Sequence, residues 1–279
     1  PGHGGHDSDD RPTDLPTELG FTGSQRFYES DGTLARGKFL SAFLENVGVS
    51  TKMSRTTNYS SDDLNLSTIA AQSNSYGGYF ISLHSNGANN SANYVISEYC
   101  GTRSSNSTEK VSGSKKFAYT AAVQHDKNRL TDVTYSTPRA INDYAFNGWN
   151  LGVLRTNTQV GYLVESWFHD YRPETLRMKG DAYNRYLAWQ LARAYMEYPK
   201  GNASGIKGCV VGDIRNTSKG CGYSKYTHRN RDSYLAVNGA KVELINSSGT
   251  VVQTMTTDNW HNGVYAFFDV AAGSYTVRV

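Results

Sequence analysis

The periodicity of this 279-residue chain changes character once, near residue 200, and that change limits the folds open to it. Upstream of Pro199, segments with three-to-four apolar spacing alternate with short apolar runs, the pattern of an α/β sheet. Phe39, Leu40, Phe43, Leu44 and Val47 follow the capping pair Ser30-Asp31 and stop at Gly48, so residues 32–47 read as an amphipathic helix. Residues 49–54, 79–83, 94–99 and 160–164 read as strands, 62–74 and 109–127 as helices, and Pro173 opens a helical stretch to about residue 198. Downstream of a polar, Gly-containing linker at 199–205, only strand and turn remain. Apolar and polar residues alternate over 208–211, 240–245, 251–256, 264–268 and 274–279, punctuated by Asn238-Gly239, Ser248-Gly249, Asn262-Gly263 and Ala272-Gly273. The expected architecture is therefore a three-layer α/β/α open-sheet domain over residues 1–198, a linker at 199–205 and a smaller antiparallel β-sandwich over 206–279.

Composition narrows the function classes. A formal charge of +3 and no run of basic residues give no argument for nucleic acid, although a mildly basic surface suits an anionic polymer. No apolar run approaches the ~18 residues needed to cross a membrane. Pro1 in place of an initiator Met, with no signal sequence, reads as a mature product whose Gly2-His3 motif follows a strand. Twenty Tyr and ten Phe supply a core and rings that can lie on sugar faces. Of the three cysteines, Cys209 and Cys221 share a glycine-rich segment and could pair, leaving Cys100 single; such a pair suits an exported protein.

Four short stretches carry the chemistry: Gly2-His3-Gly4-Gly5, Glu29, Leu83-His84-Ser85-Asn86 and Leu163-Val164-Glu165. His84 and Glu165 each follow an apolar strand, where open α/β sheets bind ligands. Glu29 stands just before the first helix, and the glycines beside His3 let the backbone turn an imidazole inward. Two His and one Glu form a catalytic zinc ligand set that leaves a position for water, so His3, Glu29 and His84 are the candidate ligands of a Zn2+ ion. Glu165 is the candidate base that takes the proton of the attacking water and passes it to a leaving nitrogen. Taken singly, each has an ordinary reading: a structural histidine in a strand, or a solvated surface glutamate. His6, Asp7, Asp9, Asp10 and His169 offer alternative ligands. The familiar His-Glu-x-x-His pair, a phosphate-binding Gly-rich loop with Lys and a Gly-x-Ser-x-Gly elbow are all absent.

As an ordered set, Pro1-Gly2-His3-Gly4-Gly5-His6-Asp7, Tyr28-Glu29-Ser30-Asp31, Phe80-Ile81-Ser82-Leu83-His84-Ser85-Asn86, Gly152-Val153-Leu154-Arg155 and Leu163-Val164-Glu165-Ser166-Trp167-Phe168 closely resemble the zinc-dependent N-acetylmuramoyl-L-alanine amidases. The resemblance covers residues 1 to about 198. It implies one zinc on His3, Glu29 and His84, a catalytic Glu165, and an exported bacterial enzyme. The implied reaction is hydrolysis of the amide between the muramic acid lactyl group and the L-alanine of the peptidoglycan stem. Ile69 stands where many members carry an arginine, Asp9 where a glycine is common, and Trp167 where a glycine often follows the catalytic segment. These departures, with a long segment at 11–25, bear on the substrate groove. Residues 206–279 resemble a carboxypeptidase-regulatory-like, transthyretin-type β-sandwich, an accessory spacer or wall-binding module. Two other functions fit the same residues: a zinc peptidase cutting within the stem peptide, and a wall-binding protein with a degenerate site. No nucleic acid partner and no membrane span are expected, and oligomeric state is left open.

Overall fold

The computed structural model describes residues 1–6, 9–88, 90, 92–102, 108–131, 139–224 and 230–279. Elements follow in the order β1 (Thr13–Asp14), β2 (Arg26–Phe27), α1 (Glu29–Glu45), α2 (Leu66–Tyr76), β3 (Tyr79–Asn86), β4 (Ile96–Tyr99), α3 (Ser114–Lys127), β5 (Ala140–Asn142), α4 (Asp143–Asn147), α5 (Gly152–Arg155), β6 (Val160–Phe168), α6 (Arg172–Met178) and α7 (Asp181–Glu197). The C-terminal region adds β7 (Gly208–Asp213), β8 (Arg215–Gly220), β9 (Tyr234–Ala236), β10 (Lys241–Asn246), β11 (Val251–Thr256), β12 (Val264–Val270) and β13 (Tyr275–Arg278).

The central sheet has the order β3-β6-β4-β5, with β3 parallel to β6, β6 antiparallel to β4 and β4 parallel to β5. Tyr162-Leu163-Val164 forms its buried middle because both faces of β6 are covered. On one face α1, α3 and α7 pack over Leu83, Tyr99, Tyr162 and Val164. There the rings of Phe117 and Tyr162 meet edge to face at 4.7 Å. On the other face α2 and α5 cover Leu163, Cys100, Val153 and Leu154, with Ile69 and Phe80 at the margin. This is the expected three-layer α/β/α open sheet.

Several boundaries differ from expectation for identifiable reasons. Helix α1 begins at Glu29 itself, because the cap is not Ser30-Asp31: the distant Asp10 carboxylate accepts both the Ser30 N–H and its hydroxyl, each at 2.6 Å. Residues 49–54 make no ladder; together with the outer edge of β3 they line an apolar cleft. Strands β3 and β6 run past His84 and Glu165 to Asn86 and Phe168, so both residues sit inside their strands, with a register irregularity following His84. The 173–198 stretch is two helices, broken at Lys179-Gly180. Against the outer edge of β3, the Gly2 N–H donates to Leu83 O at 2.8 Å.

In the C-terminal region the sheets β11-β10-β13 and β12-β7 enclose Val242, Leu244, Phe267 and Val270, a small antiparallel sandwich; β8 and β9 form a separate ribbon absent from the sequence pattern. The region is not tethered loosely. Val264, Phe268, Cys221 and Tyr223 belong to the same buried cluster as Tyr183, Tyr186 and Leu187, and α7 packs on β12. The long 11–25 segment joins this seam: Phe21 stacks on Trp260 with ring centres 6.0 Å apart. The three cysteines are free thiols, so Cys209 and Cys221 do not pair; the buried Cys221 thiol donates to Tyr223 O at 3.4 Å.

Candidate metal centre and active site

His84 of β3 lies opposite Glu165 of β6 in parallel register, and residues so opposed point to the same face of the sheet. Ile96 opposes Glu165 from β4, which puts Glu98, two residues on, diagonally beside Glu165 on that face. Glu29, 2% exposed at the start of α1, projects between the two strands' ends and the N-terminal loop. Its Oε1 accepts the Ser85 N–H at 2.8 Å and stands 3.1 Å from His84 Nδ1, while Oε2 is 3.3 Å from His3 Nε2. The two imidazoles meet edge to face, 5.0 Å between centres.

The loop that delivers His3 explains its glycines. A Cβ on Gly2 would lie 2.2 Å from Cε1 of His84, so only a bare backbone can pass there. Gly5 has φ +75° and its missing Cβ abuts the Ser60 backbone at 2.3 Å. His3 itself takes φ +52°, which costs an L-residue about 1–2 kcal/mol. The loop is held to α1 by Arg55, whose Nη2 donates to Gly2 O and Ser30 O, each at 2.8 Å, and by the Thr33 hydroxyl on Gly2 O at 2.8 Å. Trp167, the residue at a position where glycine is common, also has a positive φ, +65°; its ring is buried in the core, which offsets the backbone strain.

One donor atom each from His3, Glu29 and His84 lies within 4.8 Å of the others. Tetrahedral ligands about 2.1 Å from an ion stand about 3.4 Å apart, the scale of the two imidazole–carboxylate separations. The donors fit a divalent ion chemically as well. Burial opposes charge on Glu29, yet the hydrogen bonds of His3 and His84 hold its carboxyl well below the ordinary range. Burial likewise opposes protonation of His3, but Glu29 and Asp9 raise it to about 9, whereas burial and the His3 charge depress His84 despite Glu29. The cluster thus demands a cation, met by a proton on one ring, and a metal competes for the same lone pairs.

Beside it, Glu165 is pushed well above the carboxylate range by burial and by the charges of Glu29 and Glu98, opposed by Arg11 and His3. Its Oε2 is buried without a hydrogen-bond partner among the described residues. Glu98 is raised to about 7 by burial, against a hydrogen bond from Asn147. Arg36, on α1 and fully buried, donates through Nη1 to His84 O at 2.9 Å and faces both Glu29 and Glu165; burial lowers it only to about 10, so it stays cationic.

All four residues singled out in the sequence therefore converge. The alternative ligands have other occupations: Asp10 caps α1, Asp9 lies 3.4 Å from His3 Nδ1, and His6 stacks on Tyr28 and pairs with Asp31. Asp7 lies outside the described residues. His169 donates through Nδ1 to Ser85 O at 2.9 Å, with that nitrogen 3.9 Å from Glu29 Oε2, and so backs the cluster rather than joining it. Arg36, Arg55 and Glu98 were not foreseen. A charged side chain interrupting an apolar helix face, as Arg36 does between Leu34 and Leu40, is the signal that marks such a residue.

Residues 1–196 match the N-acetylmuramoyl-L-alanine amidase family. The chain belongs to that family. Its fold is shared with solved N-acetylmuramoyl-L-alanine amidases. AmiC2 of Nostoc punctiforme has 23% identity and a TM-score of 0.54 over 72% of this chain and 94% of that one. The enzyme of Clostridium difficile 630 has 24% identity and 0.55 over 72% and 94%. Ami1 of Mycobacterium smegmatis has 20% identity and 0.55 over 72% and 95%. Residues 229–279 match the SdrD B-like domain, a second, all-β module behind the amidase domain. Among curated proteins there is no significant sequence match. The β-pairing of β7 with β12 carries the C-terminal unit back to Gly208, beyond the start of that second match.

Proposed function

We propose that the chain hydrolyses the amide between N-acetylmuramic acid and L-alanine in peptidoglycan, with Zn2+ held by His3, Glu29 and His84 and with Glu165 as general base. The observation that carries the reading is the pairing of a three-donor cluster with a buried, unpartnered carboxylate oxygen one strand away on the same face. A zinc ion in such a three-ligand set supplies Lewis acidity and lowers the pKa of a water in its open position toward ~7. The chain's own residues do the rest. Asp9 at His3 and the Ser85 amide at Glu29 orient the ligands. Glu165, whose affinity for a proton burial raises and whose Oε2 has no hydrogen-bond partner among the described residues, takes the proton of the attacking water and returns it to the L-alanine nitrogen as the C–N bond breaks. Arg36 is a fixed cation behind both carboxylates that favours their ionised forms.

Peptidoglycan lies outside the cytoplasmic membrane, so the reading carries with it an exported bacterial protein. It is supported by the family match and by the mildly basic charge of +3, and no helix among the described residues is long and apolar enough to cross a membrane. The domain division 1–198, 199–205 and 206–279 is supported by the end of α7 at Glu197 and the start of β7 at Gly208.

The test is product analysis with metal content. The purified chain is expected to hold about one zinc and to release stem peptides with a free N-terminal L-alanine from intact glycan. Glu165→Gln is expected to keep the zinc and lose roughly 10²–10⁴-fold in rate. Cleavage inside the stem peptide would make it a peptidase; zinc-free, inactive protein that still binds wall would make it a binding protein.

A further inference from the structure

A second buried charge cluster lies on the seam between the two regions. Arg177, fully buried near the end of α6, donates through Nη1 to Glu174 Oε1 at 2.6 Å and through Nη2 to Asp232 of the C-terminal region; Nη2 is also 3.5 Å from Asp213 Oδ2 at the end of β7. Arg215 Nε donates to Asp213 at 2.8 Å, and Arg231 closes the rim 3.1 Å from the other Asp213 oxygen. Tyr183 donates to Glu174 Oε2 at 2.6 Å and Tyr171 to Asp232 Oδ2 at 3.4 Å. Apolar residues of the same volume would glue two regions at least as well, because burying ions costs desolvation. What paired ions add is a single docking geometry.

That geometry is transmitted to the metal centre by short contacts. Tyr171 and Arg177 bracket the start and end of α6, and the hydroxyl of Thr175 between them donates to His169 O at 2.5 Å. The His169 N–H donates to Asn86 O at 2.8 Å and its Nδ1 to Ser85 O at 2.9 Å, which tethers the end of β3 directly after His84. Ser85 N–H in turn holds Glu29. Asp170 accepts from Ala88 N–H at 2.8 Å on the same turn.

We propose that the C-terminal β region is a brace for the active site. Through Asp232, Arg177 and Tyr171 it fixes the 168–178 segment, and through the positioning residue His169 it sets the spacing of the His3–Glu29–His84 cluster. The role is distinct from that of a spacer or wall-binding module, and its metal readout rests on the function proposed above.

The test uses the whole 279-residue chain with Asp232→Asn, Tyr171→Phe and, as control, Glu243→Gln on β10, whose carboxylate pairs with Lys241 and Arg278 away from the seam. Measured are the zinc dissociation constant by chelator competition, kcat and KM on peptidoglycan, melting temperature, and amide exchange of residues 166–178. Asp232→Asn is expected to weaken zinc severalfold, lower kcat with KM nearly unchanged, and speed exchange in 166–178. Tyr171→Phe does the same more weakly, and keeps the question answerable if Asp232→Asn does not fold. Glu243→Gln changes none of these. A lower melting temperature in Asp232→Asn with wild-type zinc affinity, kcat and exchange at 166–178 would reduce the cluster to interface adhesion and overturn the proposal. If the wild-type chain takes no zinc, the metal reading fails by itself, and exchange at 166–178 still decides the brace.

Discussion

The chain buries two clusters of charge, and they are built on opposite principles. Around Arg177, three guanidinium groups from Arg177, Arg215 and Arg231 face three carboxylates from Glu174, Asp213 and Asp232. The carboxylates hold Arg177 well above its already high ordinary value despite burial, so its charge is fixed. Around Glu29, the guanidinium groups of Arg36 and Arg55 reach backbone carbonyls of the cluster and its supports, but the partners of the carboxylate itself are two imidazoles, whose charge depends on a proton, and Glu165 keeps an oxygen with no hydrogen-bond partner among the described residues. A closed ledger of fixed charges makes a structural joint. An open one leaves room for an exchangeable cation, as the proposed zinc site requires.

The sharpest way to break this contrast is Arg177→Met. Removing one partner of a buried ion cluster strands the others, with an expected loss of about 3–5 kcal/mol. A urea or thermal unfolding curve measures it, and a loss near zero would mean that the joint is not held by its charges. Next in size is Gly2→Ala, whose new methyl must displace the His84 ring. Zinc affinity should fall by about tenfold, the scale of disturbing a ligand's support, while far-ultraviolet circular dichroism stays native.

A smaller effect separates the clusters by pH. In metal-free protein His3 is raised from 6.5 to about 9, so the stability its protonation contributes is complete below 6.5 and is lost as pH rises through about 9. Melting temperature of the chelated protein should decline across that window, and zinc should abolish the decline because the metal replaces the proton. A decline of equal size with zinc bound would show that His3 is not a ligand. Least of all, Glu243→Gln, whose partners Lys241 and Arg278 are exposed, should leave the melting temperature unchanged within error.

How much of this could be read in advance differs between the clusters for a physical reason. His3, Glu29, His84 and Glu165 were legible because each sits beside a local backbone device: a glycine turn, a helix start, or an apolar strand. Strand periodicity also predicted that His84 and Glu165 would lie at one end of the sheet, though the ladders continue three to four residues further than the apolar runs. The cap of α1 departs from the local pattern because Ser30 is a donor: its N–H and hydroxyl are accepted by Asp10, twenty positions upstream, and no local pattern encodes such a partner. Arg177 and Asp232, 55 positions apart, look like two ordinary polar residues until the regions dock.

By itself the sequence determined the two architectures, since the switch from 3.6-residue and strand alternation to pure two-residue alternation is a property of neighbouring side chains. It also determined which groups could bind a metal. Tertiary structure alone decided that Arg36 and Glu98 face Glu165, that Trp167 takes a glycine's conformation under core packing, and that the C-terminal sheets share one buried core with the amidase domain. Those outcomes depend on which distant surfaces exclude water from one another, and burial, unlike periodicity, is not a local quantity.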